Sequence, residues 1–263
     1  MGVEKNKSRK GPNWIKMKEK YLAKENTDQR DVAIDAARGV ALFLVCLSHA
    51  HHNPHYVTAF YIMAFFFISG WLYRPGRSYE QNIRKKASRV LLPYFANSLV
   101  LLIIYALSKH FTIEQVAGAI KGIIYSRNYI VYTGTEGPVM GSIANNPLWY
   151  LTAFFATSLL FHAVVDSVTR NWKFFVLVCL SLLSLSIVMA QLPVLLPWSI
   201  DMIPFCTVVM LFGYMLKKSH FSLNLNGCVT ALLFGCYIAL CYENGSINLS
   251  IRNFGGGNFL HLQ

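Results

Sequence analysis

Charged side chains are scarce in this sequence. Only 14% of its 263 residues are charged and 54% are hydrophobic, and the mean hydropathy is +0.40. A soluble domain carries about 25% charged residues, so this chain lacks the polar groups to cover a water-facing surface. A soluble single-domain enzyme, a disordered chain and a disulfide-stapled secreted domain are excluded, and an integral membrane protein remains. The six cysteines (Cys46, Cys179, Cys206, Cys228, Cys236, Cys241) all lie in apolar runs, none in a C-x-x-C pair and none grouped with His and acidic residues. They are expected to pack as small hydrophobes rather than to hold zinc. No internal repeat marks the halves of a transporter. No small-residue cleavage site follows an apolar core, so the first span is expected to serve as its own uncleaved signal anchor.

What is present is a series of long apolar runs. Crossing ~30 Å of hydrocarbon takes about 20 residues of helix. Seven such runs occur, at 32–50, 56–73, 91–108, 147–166, 174–192, 199–216 and 225–242. Lipid cannot satisfy exposed backbone groups, and runs of this length are too long for barrel strands, so an all-α transmembrane helix bundle is expected.

Positive charge fixes the expected orientation, because short loops rich in Lys and Arg stay in the cytoplasm. Nine of the 24 Lys and Arg precede the first run and six lie in 74–90, whereas 51–55 holds none and the long stretch 109–146 only three. This alternation predicts a cytoplasmic N-terminus. The organisation follows: a basic cytoplasmic segment 1–31, a transmembrane domain 32–242 with an external connection 109–146, and an external tail 243–263. It also accounts for the net charge of +12 through anionic headgroups, without nucleic acid. Within 109–146, Ile113, Val116, Ala117, Ile120, Ile123 and Ile124 recur at helical spacing and predict an amphipathic helix on the outer surface. The Gly- and Tyr-rich remainder, 125–146, reads equally as a lid or a connector.

Ionisable groups inside a span are costly, and each is a functional candidate. The first run carries Asp35, Arg38 and His49. At 100° per residue Arg38 and His49 fall within about 20° of one another, ~16 Å apart along the axis, and Asp35 lies one turn from Arg38 on the same stripe. Asp35 and Arg38 can also be read as an orienting pair at the interface, and His49 as a helix end in water. His49, His51, His52 and His55 could face a metal together, but they include no carboxylate or thiolate and no metal is expected.

The stretch Ile34-Asp35-Ala36-Ala37-Arg38-Gly39-Val40-Ala41, continuing to Leu47-Ser48-His49, resembles the opening helix of the membrane-bound acyltransferase family 3, with its Arg, ten residues, His. The run Ala64-Phe65-Phe66-Phe67-Ile68-Ser69-Gly70-Trp71-Leu72 is similar to that family's second helix, and 84–94, from Arg84 to Leu91-Leu92-Pro93-Tyr94, to its basic entry to the third. Pro147-Leu148-Trp149-Tyr150-Leu151 resembles the start of the fourth span. Leu196-Pro197-Trp198-Ser199-Ile200-Asp201 and 211–218 resemble the sixth. The matches run in order from about residue 31 to 258. Two departures stand out: Phe60-Tyr61-Ile62-Met63 replaces a helper His, and the usual ten or so spans stop at seven, which implies a C-terminally shortened chain.

The resemblance implies transfer of an acyl group, usually acetyl, from cytoplasmic acyl-CoA to a hydroxyl of an envelope or surface sugar. It implies a multi-pass protein of the bacterial inner membrane, in the style of small fucose 4-O-acetylase-like members, with acyl-CoA as donor substrate and no tightly bound cofactor. On that implication His49 is general base or nucleophile and Arg38 holds the donor, supported by Asp35. Arg84, Lys85 and Arg89, with Lys86 between them, meet the donor's phosphates. Asp201, Trp198 and Trp149 meet the acceptor sugar. Asp201 also suits a helix N-cap, Trp149 an interfacial belt, and Ser69-Gly70 close helix packing. Asp166 and His162 are given no role. A silent shortened membrane protein and a small-solute transporter are the alternatives.

Overall fold

The computed structural model describes residues 32–50, 60–76, 78–127, 148–168, 170–192, 194–219 and 226–244, the side chains of His49 and Ala50 excepted. Segment 1–31, His51, His52, His55, the Gly- and Tyr-rich 128–147 and the tail from 245 lie outside them. Among the described residues there are eight helices and no strand: α1 (Val32–Ala50), α2 (Tyr61–Trp71), α3 (Tyr79–Ser108), α4 (Ile113–Tyr125), α5 (Trp149–Val168), α6 (Trp172–Ala190), α7 (Ile203–Lys218) and α8 (Gly227–Asn244). Each of the seven apolar runs contains one. The chain divides into two compact units, Met1–Val40 and Ala41–Gln263. The described part of the first is the opening of α1, and the second holds α2 to α8.

Among the described residues, five helical stretches are long and apolar enough to cross a membrane: α3, α5, α6, α7 with the turn before it, and α8. Their outward faces carry large apolar side chains, Leu177, Leu180, Ile187 and Val188 on α6 and Leu232, Leu233, Phe234 and Leu240 on α8. Faces of that kind are stable against lipid and not against water. The fold is an all-α bundle of a multi-pass membrane protein.

The second run departs from its expected length. α2 has 11 residues, a rise of only ~16 Å. It packs on α7 at a point where neither helix has room for a side chain: a Cβ on Gly70 would overlap the Met210 carbonyl, and one on Gly213 the Phe67 carbonyl. Ser69-Gly70 therefore serves close packing, as the small-residue pattern indicated. Phe66, Met210 and Leu211 are buried around this crossing with Phe161 and Val165 of α5.

The third run begins earlier than its hydropathy suggests. Ser78 and Gln81 form a reciprocal capping box that starts α3 at Tyr79, which satisfies two orphan donors of the first turn. The basic stretch expected as a loop is thus helical from residue 79. A wider π turn over Ala87–Leu91 precedes Pro93. Its ring would clash with the Arg89 carbonyl in a regular α-helix, and the widened turn relieves that conflict. The buried face of α3 recurs every fourth residue: Asn82, Val90, Tyr94, Ser98 and Leu102.

The amphipathic helix of the long connection is present as α4, begun by a Thr112–Gln115 capping box. Its buried face is narrower than expected. Ala119, Gly122 and Ile123 face α3, where Tyr94 Oη donates to the Ile123 carbonyl at 2.6 Å. Ile113, Ile120 and Ile124, expected on the same stripe, are exposed. Small residues let α4 approach α3 closely, which leaves the bulkier isoleucines on the outside.

Of the cysteines, Cys179, Cys206 and Cys241 are buried, whereas Cys46, Cys228 and Cys236 lie on exposed helix faces. The expectation of buried packing holds for the first three only.

Candidate functional site

Two polar centres occupy the bundle, one beside each half of α5. The first is built where α4 ends and the turn before α7 begins. Ser126 closes α4 in the left-handed conformation, φ 56°, and turns the chain so that Arg127 points inward. Arg127 forms an ion pair with Asp201, both side chains fully buried, and its Nε donates to the Leu196 carbonyl at 3.0 Å. Tyr125 Oη donates to the Leu195 carbonyl at 2.6 Å, and Trp198 Nε1 donates to the Ile124 carbonyl at 2.8 Å. Ser126 Oγ shares a 2.6 Å hydrogen bond with Thr152 Oγ1 of α5, which donates to the Trp149 carbonyl at 2.9 Å.

These bonds strap residues 195–201 to residues 124–127 and hold a strained backbone. Trp198 (φ 53°) and Ser199 (φ 56°) are consecutive left-handed residues within the 3-10 turn Pro197–Met202. Such conformations cost of order 1–3 kcal/mol each in non-glycine residues and persist where the surroundings hold them. Here they place the Trp198 ring edge-on to Phe155, with centroids 6.4 Å apart.

The second centre lies about 9–15 Å further along α5, six to ten residues of helical rise beyond Thr152. Lys86 leaves α3 on the face defined by Asn82 and Val90 and turns into the bundle. Its Nζ donates to Ser158 Oγ at 3.2 Å and sits 4.2 Å from the centre of the Phe154 ring. The Lys86 amine thus has a hydroxyl and an aromatic face as its neighbours inside the bundle. Ser158, His162 and Asp166 follow at i, i+4 and i+8, one stripe of α5. The His162 ring lies 5.2 Å from Tyr73, Tyr73 lies 5.2 Å from Tyr214 of α7, and His162 Nδ1 is buried without a hydrogen-bond partner among the described residues.

Against these centres the residues anticipated from sequence fall into three groups. Asp201, Trp198 and Trp149 come together at the first centre, but with altered parts. Asp201 is not an N-cap: Met202 holds that position in α7 with no side-chain capping bond, and the Asp201 carboxylate is turned inward to Arg127. Trp149 is 7% exposed, a core residue rather than one of an interfacial belt. Only Trp198 keeps an open face. Arg84, Lys85 and Arg89 are separated from Lys86. Arg84 points outward and pairs with Glu80 at 3.4 Å, both over 80% exposed, a pair worth little to stability. Arg89 is exposed and Lys85 half-buried. In the first unit, Arg38 pairs with Asp35 at 3.6 Å and is 48% exposed. α1 runs unbroken from Val32 to Ala50 and includes position 49, whose side chain lies outside the described set, as do His51, His52 and His55. No metal-holding group occurs among the described residues.

Arg127 is the residue that sequence reasoning missed. The signal was available, since an aspartate inside an apolar turn needs a cation and the stretch 109–146 offers only Lys109, Lys121 and Arg127. For Lys86 the signal was the four-residue spacing to Asn82 and Val90.

No curated protein and no solved structure matches this chain. A family model described as an acyltransferase domain matches residues 31–261, a stretch that includes α1, both polar centres and every described helix. The chain belongs to the membrane-bound acyltransferase family 3.

Proposed function

We propose that the protein transfers an acyl group, acetyl as the simplest case, from cytoplasmic acyl-CoA to a hydroxyl of an envelope sugar, and that it does so in a bacterial inner membrane. The acceptor oxygen attacks the thioester carbonyl, a C–O bond forms and the C–S bond breaks. His49 takes the hydroxyl proton and returns it to the departing thiolate, so that the products are the ester and free CoA. A positioned imidazole contributes about 10² to 10⁴ in rate to such a step. Arg38 holds the donor, with Asp35 orienting the guanidinium. The exposed Arg84 and Arg89 and the half-buried Lys85 meet the donor's phosphates on arrival.

On the acceptor side Trp198 offers its ring to a sugar face, and the buried Arg127–Asp201 pair and Trp149 hold the turn that presents it. Asp201 thus acts through position rather than by touching the sugar. The observation that carries the reading is the family match across residues 31–261, which takes in the Arg38-to-His49 motif on one continuous helix. Membranes containing the protein, given labelled acetyl-CoA, are expected to label envelope glycan. His49→Ala should abolish the label and Arg38→Ala should raise the acetyl-CoA requirement. Undiminished labelling by His49→Ala contradicts the assignment.

A further inference from the structure

An open hollow of about 560 Å³ lies between α4, α5 and the strained turn. That volume falls within the ~300–1,000 Å³ of ordinary ligand sites. Its walls are Ile124, Tyr125, Ala156, Trp198 and Ile200, and the one charged residue lining it is Lys121. Lys121 is exposed and forms no ion pair among the described residues.

The position of the hollow restricts its occupant. It lies at the start of the candidate span Pro197–Lys218 and reaches Ala156, seven residues into the candidate span Trp149–Val168. A hollow that opens at the start of one span and runs into another has room for both the head and the chain of a lipid. α4 beside it exposes Ile113, Ile120 and Ile124, the apolar surface of a helix lying at an interface. Tyr125 and Trp198 both line the hollow while their polar atoms are tied to backbone carbonyls, so the rings present apolar faces to it. An occupant with a hydrocarbon chain and a negative head matches both the lining and the lysine. A sugar alone uses the Trp198 ring but leaves Ala156 and Ile200 unused, and a neutral lipid leaves Lys121 unused.

We infer that this groove binds a phosphate-bearing lipid, its chain against Ala156, Trp198 and Ile200 and its phosphate on Lys121. The groove shares Trp198 with the acceptor face proposed above, and lipid binding there is testable without acyl transfer. One basic residue near an anionic headgroup favours it about fivefold.

The test uses the full chain in phosphatidylcholine vesicles doped with brominated phosphatidylglycerol or, separately, brominated phosphatidylcholine, with no acyl-CoA present. Bromine quenches nearby tryptophan, and the Trp198 component is the difference between the natural protein and Trp198→Phe. The anionic lipid should quench that component at about one-fifth the concentration the neutral lipid needs. Lys121→Glu, a change at an exposed position, should bring the two lipids to parity, and Ala156→Phe should lower quenching by both. Equal quenching by the two lipids in the natural protein overturns the inference, as does a preference that survives Lys121→Glu.

Discussion

The crossing of α2 with α7 and the strap between α4 and the turn before α7 solve the same problem in opposite ways. The crossing meets α7 at Met210 and Gly213, and the strap holds the turn that leads into it. At the crossing Gly70 and Gly213 bring two backbones so close that each occupies the space a side chain would need. Such a contact gains dispersion energy and loses nothing to desolvation. At the strap, a guanidinium and a carboxylate are both withdrawn from solvent, and their attraction is offset by the cost of burying them. The dry contact fixes how near the helices come. The polar one fixes a backbone shape, the left-handed Trp198 and Ser199, that no packing of hydrocarbon would select.

Breaking the strap should have the largest effect. Arg127→Ala takes the guanidinium from the buried Asp201 carboxylate, and Asp201→Ala takes the carboxylate from the buried Arg127. Each is expected to cost about 3–5 kcal/mol, read as loss of folded protein in detergent by thermal or proteolytic unfolding. Replacing both with apolar residues of similar volume (Arg127→Met with Asp201→Leu) should recover much of that stability while the shape of the turn, read by Trp198 fluorescence, does not return.

Breaking the crossing should cost less, because a neutral backbone can shift, whereas an ion stranded in the interior either stays charged or is neutralised at a cost. Gly70→Ala and Gly213→Ala are each expected to destabilise by about 1–3 kcal/mol. Gly118→Ala, on the open side of α4 where a Cβ meets nothing, should be neutral or stabilise by up to about 1 kcal/mol. Equal effects at all three positions would remove the distinction.

The smallest effect sharpens the comparison on α3. Arg84→Ala should change stability by less than about 0.5 kcal/mol, since its pair with Glu80 is exposed. Lys86→Ala, two residues on, removes the bond to Ser158 and the contact with Phe154 and should cost about 1–3 kcal/mol. A single exposed basic cluster would instead give equal values.

The seven hydrophobic runs were legible because lipid demands long apolar helices, and a helix lies in each, though the one in 56–73 has only 11 residues. The glycine crossing was legible for a related reason, since Ser69-Gly70 is small within an aromatic run. What the runs concealed was the start of α3, where the capping box of Ser78 and Gln81 outweighs the charges of 84–89. They also concealed the shortness of α2, whose neighbours to residue 60 are equally apolar. Asp201, Trp198 and Trp149 were singled out from the sequence, but their surroundings were not legible there. Asp201 reads as a cap from its place beside Pro197, and only the three-dimensional return of α4 brings Arg127 to it, 74 positions away in sequence. Pairings of that span have no local signature. The single lysine that differs from its neighbours, Lys86, could have been separated from them by its spacing, but not its partner Ser158, which lies 72 positions on.

The most direct test is a two-compartment one. The protein is reconstituted in sealed vesicles with labelled acetyl-CoA on the side of Arg84 and Arg89 and a membrane-impermeant sugar acceptor on the other. The account predicts that label reaches the acceptor across the intact bilayer and that His49→Ala stops it. Label that reaches the acceptor only when donor and acceptor share one compartment contradicts it.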